Sequence, residues 1–101
     1  MNSEVLKIDT IIKTLFSIEN KKSLQISKLY IFYNYLRSKI EKDKKPYIFS
    51  SNYEDIKRYI YYNSEVFDLI NEELIVAKGI IEIKEENKWL KKICKEFIKQ
   101  Y

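Results

Sequence analysis

Histidine is absent from this chain, and cysteine, glycine and proline occur once each. Without histidine, the commonest general base and the commonest metal ligand are both missing. A single cysteine, Cys94, excludes an internal disulfide and any zinc site built on several thiolates. A single glycine, Gly79, excludes the glycine-rich loops that cradle phosphates. Ser50 and Ser51 have no histidine to activate them as nucleophiles. The neighbouring acids Glu54-Asp55, Glu72-Glu73 and Glu85-Glu86 would diverge around a helix rather than converge on one substrate atom. No run is long and apolar enough to span a bilayer, and no charged-then-apolar leader opens the sequence. The expectation is a non-catalytic, cytoplasmic chain with no metal, no cofactor and no membrane partner.

What remains is 101 residues, 46% hydrophobic and 34% charged, the balance of one ordinary globular domain spanning 1–101. So little glycine and proline favours helices with short connections over a sandwich or barrel. Lys, Ile and Tyr far outnumber Ala, Val and Gly, a bias typical of AT-rich genomes. Cys94 falls on the apolar face of the last helix and reads as a small core residue.

The net charge of +4 is unevenly placed: residues 1–50 hold ten Lys/Arg against five Asp/Glu, and residues 51–101 hold nine against ten. The excess forms two clusters. The first is Arg37, Lys39, Lys42, Lys44 and Lys45; the second is Lys88, Lys91, Lys92, Lys95 and Lys99. Either suits phosphates, and either is equally a solvated face.

Hydrophobic spacing predicts a first helix from Ser3 to Glu19, with Val5, Ile8, Ile11, Ile12, Leu15 and Phe16 on one side. A polar break at 20–23 precedes a second, central helix lined by Leu29, Phe32, Tyr33, Leu36 and Ile40, with Ser23 or Ser27 as its cap. Lys42–Asn52 reads as a loop in which Tyr47, Ile48 and Phe49 tuck into the core, add a strand, or await a partner. A short third helix follows over Tyr53–Tyr62, capped by Asn52. Val66, Phe67, Ile70, Leu74 and Ala77 predict a fourth helix over Ser64–Lys78, closed by Gly79. Ile80, Ile81 and Ile83 then read as a strand reaching a Glu86-Asn87 turn, and Trp89-Leu90 opens a final helix. The predicted fold is mainly α and winged-helix-like, with about five helices and a two-stranded wing near residues 80–90.

In that reading Ser64–Lys78 is the recognition helix. It carries Glu65, Asp68, Glu72 and Glu73 against Lys78 alone, which DNA phosphates would repel. Beside it Tyr59, Tyr61 and Tyr62 crowd around Arg58. Tyr and Arg are enriched at protein hot spots, and aromatic rings with cations also suit single-stranded nucleic acid. In the plainer alternative, Ile56, Tyr59 and Ile60 pack inward and Tyr61 and Tyr62 cover a rim. Glu54, Asp55, Glu65 and Asp68 around the cluster favour a protein partner over a polyanion.

Three segments together resemble the middle component of bacterial ABC-three-component systems, small winged-helix proteins related to the middle subunit of Lamassu-type phage defence. The first is Leu24-Gln25-Ile26-Ser27-Lys28-Leu29-Tyr30-Ile31-Phe32-Tyr33-Asn34-Tyr35-Leu36, similar to that family's aromatic-rich early helix. The second runs from Leu69 to Ile81, similar to a helix ending in Lys-Gly and an apolar pair. The third is Trp89 through Ile98, where a wing strand gives way to a final helix. The family's His-Pro and paired-Arg segment is absent here, as is the glycine of its wing. The resemblance implies an adaptor in antiviral defence, bound to an SMC-type ATPase and an effector, without catalysis of its own.

Two functions are therefore expected of the residues. The first is a protein-interaction adaptor using Arg58, Tyr59, Tyr61, Tyr62, Glu65, Asp68 and an exposed edge of Phe67. The second is a small nucleic-acid-binding regulator or phage-type inhibitor using Arg37, Lys39, Lys42, Lys44 and Lys45 with Lys91, Lys92, Lys95 and Lys99. The second requires both basic clusters on one side of the fold. A homodimer built on the long helices is a third arrangement open to the sequence.

Overall fold

The computed structural model describes residues 3–49 and 52–101. The fold is mixed α/β, and the order of its elements decides where the charged faces lie. Strand β1 (Glu4–Leu6) leads into helix α1 (Ile8–Glu19), then strand β2 (Ser23–Gln25) and the long helix α2 (Ile26–Lys42). After β3 (Tyr47–Phe49) come α3 (Tyr53–Tyr62), β4 (Phe67–Ile70), β5 (Leu74–Ala77) and α4 (Lys88–Gln100). Strands β2, β5 and β4 form an antiparallel sheet in that order, and β1 pairs with β3 in parallel.

Helix ends follow local chemistry. Asn20 closes α1 in the left-handed conformation, at φ 54, with its N–H donating to the Phe16 carbonyl. Asn52 caps α3: its side chain accepts from the Glu54 N–H at 3.0 Å while Asp55 accepts from the Asn52 N–H at 2.9 Å. Asn87 caps α4 by accepting from the Leu90 N–H at 2.9 Å.

Four helices are present among the described residues, and the helix expected over Ser64–Lys78 is instead the β4–β5 hairpin. Its apolar residues satisfy strand alternation as well as helical spacing. Phe67 is buried and Leu69 packs beside it on β4, and across the pair Phe67 faces Ala77 and Leu69 faces Ile75. The turn between them is made by Asn71 at φ 52 and Glu72 at φ 58, with the Glu73 N–H donating to the Ile70 carbonyl at 3.0 Å. Two successive left-handed residues thus turn the chain within a three-residue connection, because Ile70 pairs with Leu74.

The two-stranded wing expected near residues 80–90 does not form among the described residues: Ile80–Ile83 pair with no strand, and the observed hairpin occupies Phe67–Ala77. At the front of the chain, Glu4–Leu6 is a strand rather than the start of α1, because Val5 pairs beside Ile48 in the parallel ladder. Tyr47–Phe49 thus adds a strand, but next to β1 and away from the hairpin.

The core lies where α1, α2 and α4 meet the inner face of the antiparallel sheet. Ile11, Ile12 and Leu15 of α1, Leu29, Phe32 and Leu36 of α2, and Leu90, Ile93 and Phe97 of α4 are buried together. Phe16 and Phe67 join α1 to the hairpin with ring centroids 5.2 Å apart, and Phe32 and Phe97 join α2 to α4 at 4.8 Å. Cys94 is buried in this core, and burial together with the charge of Glu19 pushes its thiol up to about 12. A thiol so held stays protonated and unreactive at neutral pH. No helix of the described residues is long and apolar enough to cross a membrane.

Candidate nucleic-acid interface

Helix α4 has two opposite sides. At about 100° per residue, Leu90, Ile93, Cys94 and Phe97 cluster on one side and Lys88, Lys91, Lys92, Lys95 and Lys99 on the other. The first four are buried; Lys88, Lys92, Lys95 and Lys99 are exposed and Lys91 is half-exposed. Their stripe runs about 16 Å along the helix at 1.5 Å per residue. An open trough of about 510 Å³ lies among these five lysines and Glu96. Since one helix alone lines it, it is a surface between side chains rather than an enclosed ligand cavity.

The end of α2 meets this face. Lys39 pairs with Glu96 at 3.7 Å, and its ammonium also lies 5.4 Å from the centre of the Tyr35 ring. Trp89 Nε1 donates to Asp43 at 2.9 Å, and the Trp89 ring packs on Tyr47 at 5.2 Å. Tyr47 in turn accepts a hydrogen bond from the Asn87 side chain at 3.2 Å. The Trp89 hydrogen bond holds the Asp43 carboxyl below its ordinary value, helped by the charges of Lys92, Lys39 and Lys45. Lys92 belongs to α4 and the other two to the α2 end, so both basic clusters act on one carboxylate.

Not every basic residue joins them. Lys42 and Lys44 are exposed at the end of α2 and just beyond it. Arg37 lies apart, its guanidinium 5.3 Å from the centre of the Phe49 ring on the β3 side. Lys91 pairs with Glu86 at 3.1 Å, whereas Lys88, Lys92, Lys95 and Lys99 make no ion pair among the described residues. Sequence reasoning missed Asp43, Trp89, Tyr47 and Glu96, the side chains that clamp the two clusters together. Their spacing carries no signal, because Trp89 and Asp43 stand 46 positions apart.

The acidic and aromatic residues lie on α3 and the hairpin. Tyr61 and Tyr62 are 60% and 81% exposed, and Arg58, Glu65 and Asp68 are exposed beside them. Two of the expected partner-binding residues do not qualify. Tyr59 is half-buried and donates its hydroxyl to Asp9; burial and that bond both raise its pKa. Phe67 is fully buried between Phe16 and Tyr59, because β4 rather than a helix carries it and turns its ring inward. Arg58 pairs with Asp55 at 3.7 Å and Lys57 with Glu72 at 3.2 Å. Glu54, Glu65, Asp68 and Glu73 have no cation within ion-pair range among the described residues, and the surface is left acidic.

Comparison with known proteins finds no matching family model, no matching curated protein and no matching solved structure.

Proposed function

We propose that this chain is a non-catalytic winged-helix module that holds the phosphate backbone of nucleic acid on the face made by α4 and the end of α2. The winged-helix reading is supported by the sheet order β2-β5-β4, in which the strand between the first two helices pairs with the second strand of the hairpin. The recognition helix is then α3 and the wing tip is Asn71–Glu73. Both carry acids, so the docking surface that winged helices commonly use would repel a polyanion here. One observation carries the proposal: basic clusters far apart in sequence converge on Asp43 and Glu96.

Lysines spaced along an exposed helix face can contact phosphates whatever the bases. Binding is therefore sequence-independent and strongly salt-dependent. Neutralising three to five phosphates gives a slope of about −3 to −5 in log affinity against log salt. Fluorescence anisotropy on two unrelated duplexes between ~50 and ~200 mM salt measures it. Absent or salt-insensitive binding overturns the proposal.

A second reading, a protein adaptor, is favoured by the exposure of Tyr61 and Tyr62 beside unpaired acids. It is also what the resemblance to ABC-three-component middle proteins implies, with an SMC-type ATPase or an effector as partner. Charge reversal at Glu65 and Asp68 is expected to remove a protein that survives nuclease treatment in a pull-down. Retention of every such partner by the folded variant counts against the adaptor.

A further inference from the structure

Proteins that hold single-stranded nucleic acid combine cations that track its backbone with aromatic rings on which its bases stack. This chain keeps the two apart. Among the described residues the exposed aromatic rings are those of Tyr61, Tyr62 and Tyr101. Tyr61 and Tyr62 end α3, beside Glu65 and Asp68. Tyr101 follows α4, but at about 100° per residue it falls at least about 120° round from Lys88, Lys92, Lys95 and Lys99. Its ring stacks on Phe97 with centroids 4.7 Å apart and meets Tyr35 edge-on at 6.5 Å, on the core side. The rings that do border the lysines are occupied. Trp89 is half-buried, with Nε1 donating to Asp43 and its ring on Tyr47, itself half-buried and bonded to Asn87. The Lys39 ammonium lies over Tyr35.

The cations form a broad face in place of a groove. Helices α2 and α4 lie side by side and antiparallel, Tyr35 meeting Tyr101, Lys39 meeting Glu96 and Asp43 meeting Trp89. The end of α2 therefore adds Lys39 and Lys45 beside the first half of the stripe, where both act with Lys92 on Asp43. A duplex offers such a face one charge per about 1.7 Å, against one per about 3.4 Å on a single strand, and its bases stay stacked. Along the stripe of about 16 Å that is roughly nine charges against five.

We propose that this face takes nucleic acid in its double-stranded form and discriminates against single strands, an inference that rests on the phosphate-binding reading above. Each contact releases about 0.9 counterion from a duplex and about 0.7 from a single strand, so four contacts give salt slopes of about −3.6 and −2.8. With equal affinities at ~1 M salt, that difference amounts to ~10-fold at ~50 mM.

Fluorescence anisotropy on a labelled duplex of ~20 base pairs and on one of its strands alone, at ~50 mM salt, tests this. The duplex is expected to bind ~10-fold more tightly. Tyr61→Ala with Tyr62→Ala, folded by circular dichroism, is expected to bind both forms as the wild type does. A single strand that binds as tightly as the duplex overturns the inference and leaves the phosphate-binding reading in place. A loss of single-strand binding in the tyrosine variant also overturns it, since bases would then be stacking on α3. Binding of neither form removes the inference and the reading together.

Discussion

Charge reversal of Lys92, Lys95 and Lys99 to Glu is expected to weaken duplex binding about 100- to 1,000-fold at ~50 mM salt and to flatten the salt slope by about 3. The three side chains are exposed and make no ion pair among the described residues, so each is available for a phosphate. Reversal removes three counterion-releasing contacts and adds three repulsions, which is why the expected loss exceeds that of simple truncation. Stability should change by less than about 0.5 kcal/mol per site, since none of the three supports a packed or buried group. The control is reversal of Lys21 and Lys22, which are exposed at the turn between α1 and β2 and belong to neither basic cluster. It lowers net charge in the same direction but should cost no more than a few-fold through the protein's overall field. Equal loss per charge from both variants would mean that bulk charge, and not a face, attracts the duplex.

The sequence made some of this legible and hid the rest for physical reasons. Helix α3 carries its own capping residue, Asn52, which bounds it to Tyr53–Tyr62 in sequence and structure alike. For α4 the sequence marks only an opening at Trp89-Leu90, and its Asn87 cap goes unread. The hairpin was not legible. Val66, Phe67, Ile70, Leu74 and Ala77 fit a helical stripe, while Phe67, Leu69, Ile75 and Ala77 fit two alternating strands. Over so short a run the two periods overlap. An Asn-Gly pair would have decided it, but Glu72 occupies the second left-handed position, where the sequence gives no glycine signal.

Reading that stretch as a helix puts Phe67, a core residue, on the expected partner surface and places the expected hairpin near residues 80–90 rather than at Phe67–Ala77. The helical face of α3 allows Ile56, Tyr59 and Ile60 to pack inward as the plainer alternative. Ile56 and Ile60 are buried and Tyr59 is half-buried, against its expected place on the partner surface. The strand expected from Ile80, Ile81 and Ile83 does not form among the described residues. A strand needs a neighbour, and no periodicity within the segment can say whether one exists. The basic residues were visible as two clusters, but their meeting depends on Trp89 reaching Asp43 and Lys39 reaching Glu96. Contacts between distant segments are a property of the packed chain, not of either cluster.

Phe97→Ala is expected to lower stability by about 3–5 kcal/mol, the usual cost of emptying a fully buried phenylalanine site. Phe97 is buried with its ring centroid 4.8 Å from Phe32, 5.3 Å from Tyr35 and 4.7 Å from Tyr101. Phe32 and Tyr35 are fixed on α2, the central helix, and cannot collapse inward to fill the void. For a domain whose total margin is about 5–15 kcal/mol, this is a large share. The expected fall in Tm is ~12–40 °C, from 4–8 °C per kcal/mol at this size. Thermal melts and urea titration measure it, and a loss near ~1 kcal/mol would mean that α4 is not seated on α2 as described. The result also bears on function, because Lys92, Lys95 and Lys99 ride on the solvent side of the same helix. Phe97→Ala should weaken duplex binding only as the protein unfolds, so its effect vanishes at temperatures where the variant remains native. The lysine reversals should weaken binding at every temperature without moving the melt. Two faces of one helix would then be separated experimentally, one fixing α4 to the core and the other meeting the phosphates.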